Sequence, residues 1–252
     1  MKNVLEVCVD SLASAKAAAA GGADRLELCS ALAVGGLSPY VELLEQIREV
    51  CGLPVRCLMR PRAGDFLYEP EEIDLLCAQI RRLRETGADG FVLGALTPDG
   101  DLAEDAVARM MEACGGRPVT LHRCIDVSRD LEATYRAAAR LGVDTVLTSG
   151  GAAACVDGAD MLERFLALRD AEQGPEVLIG AGVNAAVIRR MRGRLPGASA
   201  FHMSGKVLRE SGMHFRRENV PMGLPGLDEW HIQQTDADAV RAAKAALEAP
   251  EP

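Results

Sequence analysis

Two carboxylates, two imidazoles and a guanidinium recur at alternate positions of short apolar runs. They are Glu6 in VLEVCV (4–9), Glu27 in RLELCS (25–30), Arg60 closing VRCLMR (55–60), His122 in PVTLHRCI (118–125) and His202 in SAFHMSG (199–205). Two carboxyl groups whose pKa values are driven apart can divide the roles of general acid and general base. An imidazole beside them can donate or transfer a proton, and a guanidinium can hold an anion. Glu6, Glu27, Arg60 and His122 are therefore the candidate catalytic set, for a small anionic substrate such as a phosphorylated or sugar-like metabolite. The alternative is a self-satisfied interior ion network with a structural role only, since buried charge is tolerated when paired and hydrogen-bonded. Arg60 is expected to face Glu6 and Glu27, with Arg62 and Asp65 on the rim beyond it.

Cys8 and Cys29 share the parity of these residues. Two thiols on neighbouring strands can bind a soft monovalent cation such as Cu(I), although a free cysteine also serves as a small buried hydrophobe. LTSGG (147–151) and GAGVN (180–184) end two further runs, and HMSGK (202–206) ends that of His202, with glycine and small hydroxyl residues. Their backbone N–H groups could approach an anion, which makes Gly150, Gly180, Gly182, His202 and Ser204 candidate anion-binding residues. Ordinary turn chemistry would explain the same glycines.

These residues need elements to bring them together. Eight β-rich runs alternate with helical stretches, the other three runs being 90–96, 144–150 and 176–182. SLASAKAAAAGG, SPYVELLEQIREVCG, EPEEIDLLCAQIRRLRETG and DLEATYRAAARLG are rich in helix formers and end at glycine, and Pro39 and Pro70 sit near helix starts. Strict βα alternation argues for a parallel sheet, and eight units argue for closure into a (β/α)8 TIM barrel of one domain over 1–252. A doubly wound open sheet would usually carry a GxGxxG or P-loop after its first strand, and neither occurs.

Side chains two apart on a strand share a face. Leu5, Val7 and Val9 oppose Glu6 and Cys8; Leu26 and Leu28 oppose Arg25, Glu27 and Cys29; Phe201 and Met203 oppose His202 and Ser204. The apolar set must meet the helices, so the ionisable set points into the lumen, near the carboxyl ends of the strands where barrel enzymes bind ligands. The long connection 206–235 follows the eighth strand and is suited to completing the polar site or a subunit contact.

The chain has 252 residues, 48% of them hydrophobic, and a net charge of −9. That acidity argues against nucleic acid, whose phosphates demand clustered cations. The 28 basic residues include only four lysines, and Lys206 is the only one near the mouth, outside its strand, which disfavours Schiff-base chemistry. No apolar h-region and no run approaching a membrane span is present, and eight cysteines then predict reduced thiols in the cytoplasm. No CxxC or HxxxH spacing suggests a structural zinc site.

Several blocks resemble the CutC copper homeostasis family: MKNVLEVCVDS, GGADRLELCS, GGLSP, LMRPRAGDFLY, GADGFVLGALTPDGDL, VTLHRCID, VLTSGG and ESGMHFR. The resemblance covers nearly the whole chain. It implies a cytoplasmic TIM barrel that forms homo-oligomers and binds Cu(I) through two cysteines, which fall on Cys8 and Cys29 here.

Overall fold

The computed structural model describes residues 3–217, 220, 223 and 228–250. The middle of the connection expected to complete a site (218–219, 221–222 and 224–227) lies outside them. Eight parallel strands close into a barrel: β1 (Val4–Val9), β2 (Arg25–Leu28), β3 (Val55–Leu58), β4 (Gly90–Leu93), β5 (Val119–Leu121), β6 (Thr145–Thr148), β7 (Glu176–Ile179) and β8 (Ala200–Met203). Closure is made by β8 pairing with β1, with Glu6 opposite His202. On the other side of β1, Glu6 lies opposite Arg25 and Cys8 opposite Glu27. This register sets the acids, Arg25 and His202 side by side across three adjacent strands.

Around the barrel run α1 (Leu12–Ala20), α2 (Val41–Val50), α3 (Pro70–Thr86), α4 (Glu104–Cys114), α5 (Leu131–Leu141), α6 (Ala159–Glu172), α7 (Ala185–Arg194) and α8 (Ala237–Glu248). Their starts follow local chemistry. Ser11, Asp130, Asn184 and Asp236 each accept a backbone N–H of the first turn, which removes an orphan donor. Glu69 and Glu72 form a capping box around Pro70. A hairpin, β9 (Lys206–Glu210) with β10 (His231–Thr235), stands between β8 and α8.

The predicted parity holds along the strands. Leu5, Val7, Val9, Leu26, Leu28, Phe91, Leu121, Ile179 and Phe201 are fully buried in the main core between barrel and helices. Each such side chain contributes roughly 1.5–3 kcal/mol by leaving water. The lumen holds two small apolar clusters instead, Cys29 with Leu58 and Val92, and Leu147 with Leu178 and Ala200. Polar side chains occupy the rest.

Most strands are shorter than the sequence suggests. β3 ends at Leu58, so Arg60 leaves the ladder before its side chain is directed. β5 ends at Leu121, and residues 123–127 wind into a 3-10 turn capped by His122. Cys124 therefore breaks parity with His122 and packs in the outer core. Among the described residues no helix is long and apolar enough to cross a membrane.

Candidate ligand site at the barrel mouth

Glu6 is completely buried, and Arg25 Nε donates to its Oε2 at 2.5 Å while His202 Nδ1 meets its Oε1 at 2.8 Å. Burial alone would raise this carboxyl, but Arg25 and His202 outweigh it and hold Glu6 down to about 2. Glu6 is thus a fixed anion, unsuited to exchanging protons near neutrality. The expectation that Arg60 faces the two glutamates is corrected here: Arg25, two residues before Glu27 on β2, is the cation that pairs with Glu6.

Arg60 does different work. Its Nη1 donates to the carbonyls of Val34 (2.9 Å) and Gly36 (3.1 Å), and its Nη2 to that of Gly64 (2.9 Å). Its guanidinium also lies 5.3 Å from the centroid of Phe66, whose ring is 4.8 Å from that of His122. Arg62 pairs with Asp65 and Glu72 on the outside of the same loop. Arg60 therefore fastens two mouth loops to each other from within, while Arg62 braces its own loop against the start of α3 from the rim.

Glu27 is the complement of Glu6. It is 5% exposed, and its Oε2 has no hydrogen-bond partner. Burial raises its pKa to about 7, the charge of Glu6 adding to the effect while His202 and Arg25 partly offset it. The two carboxyl groups are driven apart, Glu6 downward by Arg25 and His202 and Glu27 upward by burial and by Glu6. His202 is largely buried; burial acts downward on it, but Cys8 and the two glutamates hold its pKa well above the ordinary value, Cys8 also by a hydrogen bond. One donor atom from each of Glu6, Glu27 and His202 lies within 4.8 Å of the others.

His122 faces the same space in a neutral form. Its Nδ1 accepts the Cys124 N–H at 3.2 Å, so the ring proton sits on Nε2, which has no partner. Burial, helped by Arg60, lowers its pKa to about 3. At neutral pH it can donate a hydrogen bond but does not act as an acid, a narrower role than its sequence suggested. Gly94 makes room for it: a Cβ there would stand 2.9 Å from His122 Cε1 and 2.5 Å from Cys124 Sγ.

Cys8, Glu27, Arg60, His122, Arg123 and His202 are among the residues lining one cavity of about 280 Å³ at this end of the barrel. Cys29 does not line it. That thiol is fully buried, donates to Val9 O at 3.5 Å, and is held strongly protonated by burial, with Cys8 and Glu27 adding to the shift. Cys8 is thus the thiol at the wall, and Cys29 stands near it.

A model of the CutC family matches residues 3–207. The chain belongs to the CutC family. It is 38% identical to the human copper homeostasis protein cutC homolog over 96% of this chain and 88% of that protein. It is also 38% identical to a family protein CutC of Vibrio campbellii over 98% of this chain and all of the relative. A solved CutC structure from Streptococcus agalactiae superposes with a TM-score of 0.75 at 24% identity, covering 80% of this chain and 98% of that one. A dihydrodipicolinate synthetase from Pseudomonas aeruginosa reaches a TM-score of 0.55 at 14% identity, over 81% of this chain and 71% of that one, a likeness of fold alone.

In this CutC-family chain the glycine-rich ends of β6 to β8 do not gather at the cavity. The carboxylate of Asp126 already accepts the N–H groups of Ser149 and Gly151 and the hydroxyls of Thr148 and Ser149. The Gly150 N–H goes to the Thr148 hydroxyl and the Gly180 N–H to the Thr148 carbonyl. The chain's own carboxylate fills the nest expected to hold an anion. Gly182 has a left-handed backbone and lies away from the cavity lining, as does Ser204, whose carbonyl accepts the Thr235 hydroxyl. His202 alone of that set lines the mouth. Arg25, Arg56, Arg123 and Asp126 went unassigned from sequence; inward parity on β2 and β3 was the available signal for the first two.

Proposed function

We propose that this chain handles copper, as a cytoplasmic copper homeostasis protein that binds Cu(I) as cargo through Cys8 and Cys29. The observation that carries this reading is a pair of free thiols on neighbouring segments, Cys8 on β1 at the cavity wall and Cys29 one residue past the end of β2, close enough for Cys8 to add to the upward shift of Cys29. Thiolates are the soft donors Cu(I) prefers, and the human and mouse relatives carry copper homeostasis in their names. All eight cysteines are free, in keeping with a reducing compartment. Because burial keeps the Cys29 thiol protonated, loading must release its proton, and apparent affinity rises up to about tenfold per pH unit for that proton. Anaerobic titration of reduced protein against a Cu(I) chelator tests this. Uptake that is lost in C8S and in C29S and strengthens with pH supports it; variants that bind like wild type defeat it.

A second reading is favoured by Glu27: a barrel enzyme acting by general acid–base chemistry on a small anionic metabolite. A buried carboxyl poised at about 7 with a free oxygen can both give and take a proton at neutrality. His122 Nε2–H would hold a developing negative charge, and Glu6 would orient His202. Thermal-shift screening of small phosphorylated and carboxylated metabolites tests it. A shift, then turnover abolished by E27Q, supports the reading; a shift indifferent to both E27Q and H122A refutes it.

For self-association we propose the β9–β10 hairpin as the subunit contact, because Val207, Leu208 and Ile232 are exposed on it. Sedimentation of L208E as a smaller species than wild type would bear this out.

A further inference from the structure

We propose that Glu6, Glu27 and His202 form a binding site for a divalent first-row transition-metal cation, distinct in its donors from the thiol pair. One donor atom of each already lies within 4.8 Å of the other two. They come from β1, β2 and β8, neighbours across the closure of the barrel, so rigid ladder pairing sets their spacing.

Clustered carboxylates alone would carry little, but Glu27 adds an independent sign. Its Oε2 is buried, faces no donor, and belongs to a residue lining the cavity. An acceptor stranded in this way is destabilising unless something fills the place. The site's own cations are elsewhere. Arg25 is spent on Glu6 Oε2, and Arg56 on Thr120, Thr145 and Asp144. Arg60 is spent on backbone carbonyls.

The donors are two carboxylate oxygens and one imidazole nitrogen. Such a set suits Mn²⁺, Fe²⁺, Co²⁺ or Zn²⁺ and gives no advantage to Cu(I). A cation here would replace the proton between Glu6 Oε1 and His202 Nδ1 and that on Glu27. Arg25 would remain on Glu6 Oε2 as the outer-sphere partner that orients a ligating carboxylate. Three protein ligands leave further coordination positions open towards the cavity, the pattern of a site that also takes a small ligand.

This inference goes beyond the copper reading and does not depend on it. The test is anaerobic titration of the reduced protein with Co²⁺, followed by its visible ligand-field bands and by the near-ultraviolet band that thiolate ligation produces. We expect one Co²⁺ per chain, ligand-field bands without the thiolate band, a rise in melting temperature on binding, and binding weaker by about tenfold or more in E27Q. Gln keeps the shape of Glu27, and circular dichroism confirms that E27Q is folded before it is titrated. No binding at millimolar Co²⁺, a thiolate band, or an E27Q that binds like wild type would each overturn the proposal. Cu(I) competition on the same wild-type preparation separates the two readings. Copper uptake without a Co²⁺ site ends this one alone, and the reverse ends the copper reading alone.

Discussion

The two ends of the barrel lumen bury similar side chains and treat them in opposite ways. At the amino-terminal end Arg56 donates to the hydroxyls of Thr120 (2.5 Å) and Thr145 (3.2 Å) and to Asp144 (2.7 Å). Gly90 clears space for it, since a Cβ there would stand 3.0 Å from Arg56 Cγ. At the carboxyl end Glu27 Oε2, Arg60 Nε and His122 Nε2 have no partner. Buried polar groups are nearly always satisfied when their role is structural. The lower network therefore reads as scaffold, and the upper one keeps polar atoms without partners in the protein. Glu6 joins them, with a scaffold-like ion pair to Arg25 on one oxygen and the mouth residue His202 on the other.

Breaking that joint should have the largest effect. E6Q leaves Arg25 and His202 without a buried counter-charge, and the loss at pH 7 is expected at about 3–5 kcal/mol. The sign follows from the direction of the shift. Glu6 is held down to about 2, so its stabilisation is complete above the unfolded value of 4.5 and disappears as pH falls through 2. Urea unfolding of E6Q and wild type should therefore converge in strong acid. An equal deficit at pH 7 and pH 2 would mean that packing, not charge, holds Glu6 in place.

Glu27 should respond in the opposite sense. Its folded pKa is raised to about 7, so the native state binds the extra proton between 4.5 and 7, and stability declines as pH climbs through that window. A shift of this size corresponds to about 3 kcal/mol. Without metal, E27Q should match wild type near pH 4 and exceed it in thermal stability by pH 8. If the free protein gains nothing from E27Q at pH 8, the mouth is as well satisfied as the base and the contrast between them collapses.

How far the sequence foretold this contrast depends on the element. Barrel closure and the division between outer core and lumen were legible, because period-two alternation survives wherever the chain stays in the ladder, as in Leu5–Glu6–Val7–Cys8. The partner of Glu6 was not, because parity places Arg25, Arg56 and Arg60 on one side and says nothing of height along the barrel. Arg60 was misjudged because β3 stops two residues before it, and strand ends depend on tertiary pairing that local propensity does not encode. The glycines after β6 looked open to an anion because Asp126, more than twenty residues earlier, reaches them only through the fold. Orphaned atoms such as Glu27 Oε2 have no sequence signature at all.

The smallest expected effect belongs to the lower network. R56M removes the donor to two buried threonine hydroxyls, while Asp144 remains partly open to solvent. The methionine stem replaces much of the aliphatic packing of arginine, so the loss should be about 2 kcal/mol. Arg56 does not line the mouth cavity, and it is the last of the charges that influence Glu27. R56M should thus unfold at lower urea while the pH dependence assigned to Glu27 persists. Should R56M instead erase that dependence, the two ends share one network, and the unpartnered atoms at the mouth would have to be explained as strain transmitted from below.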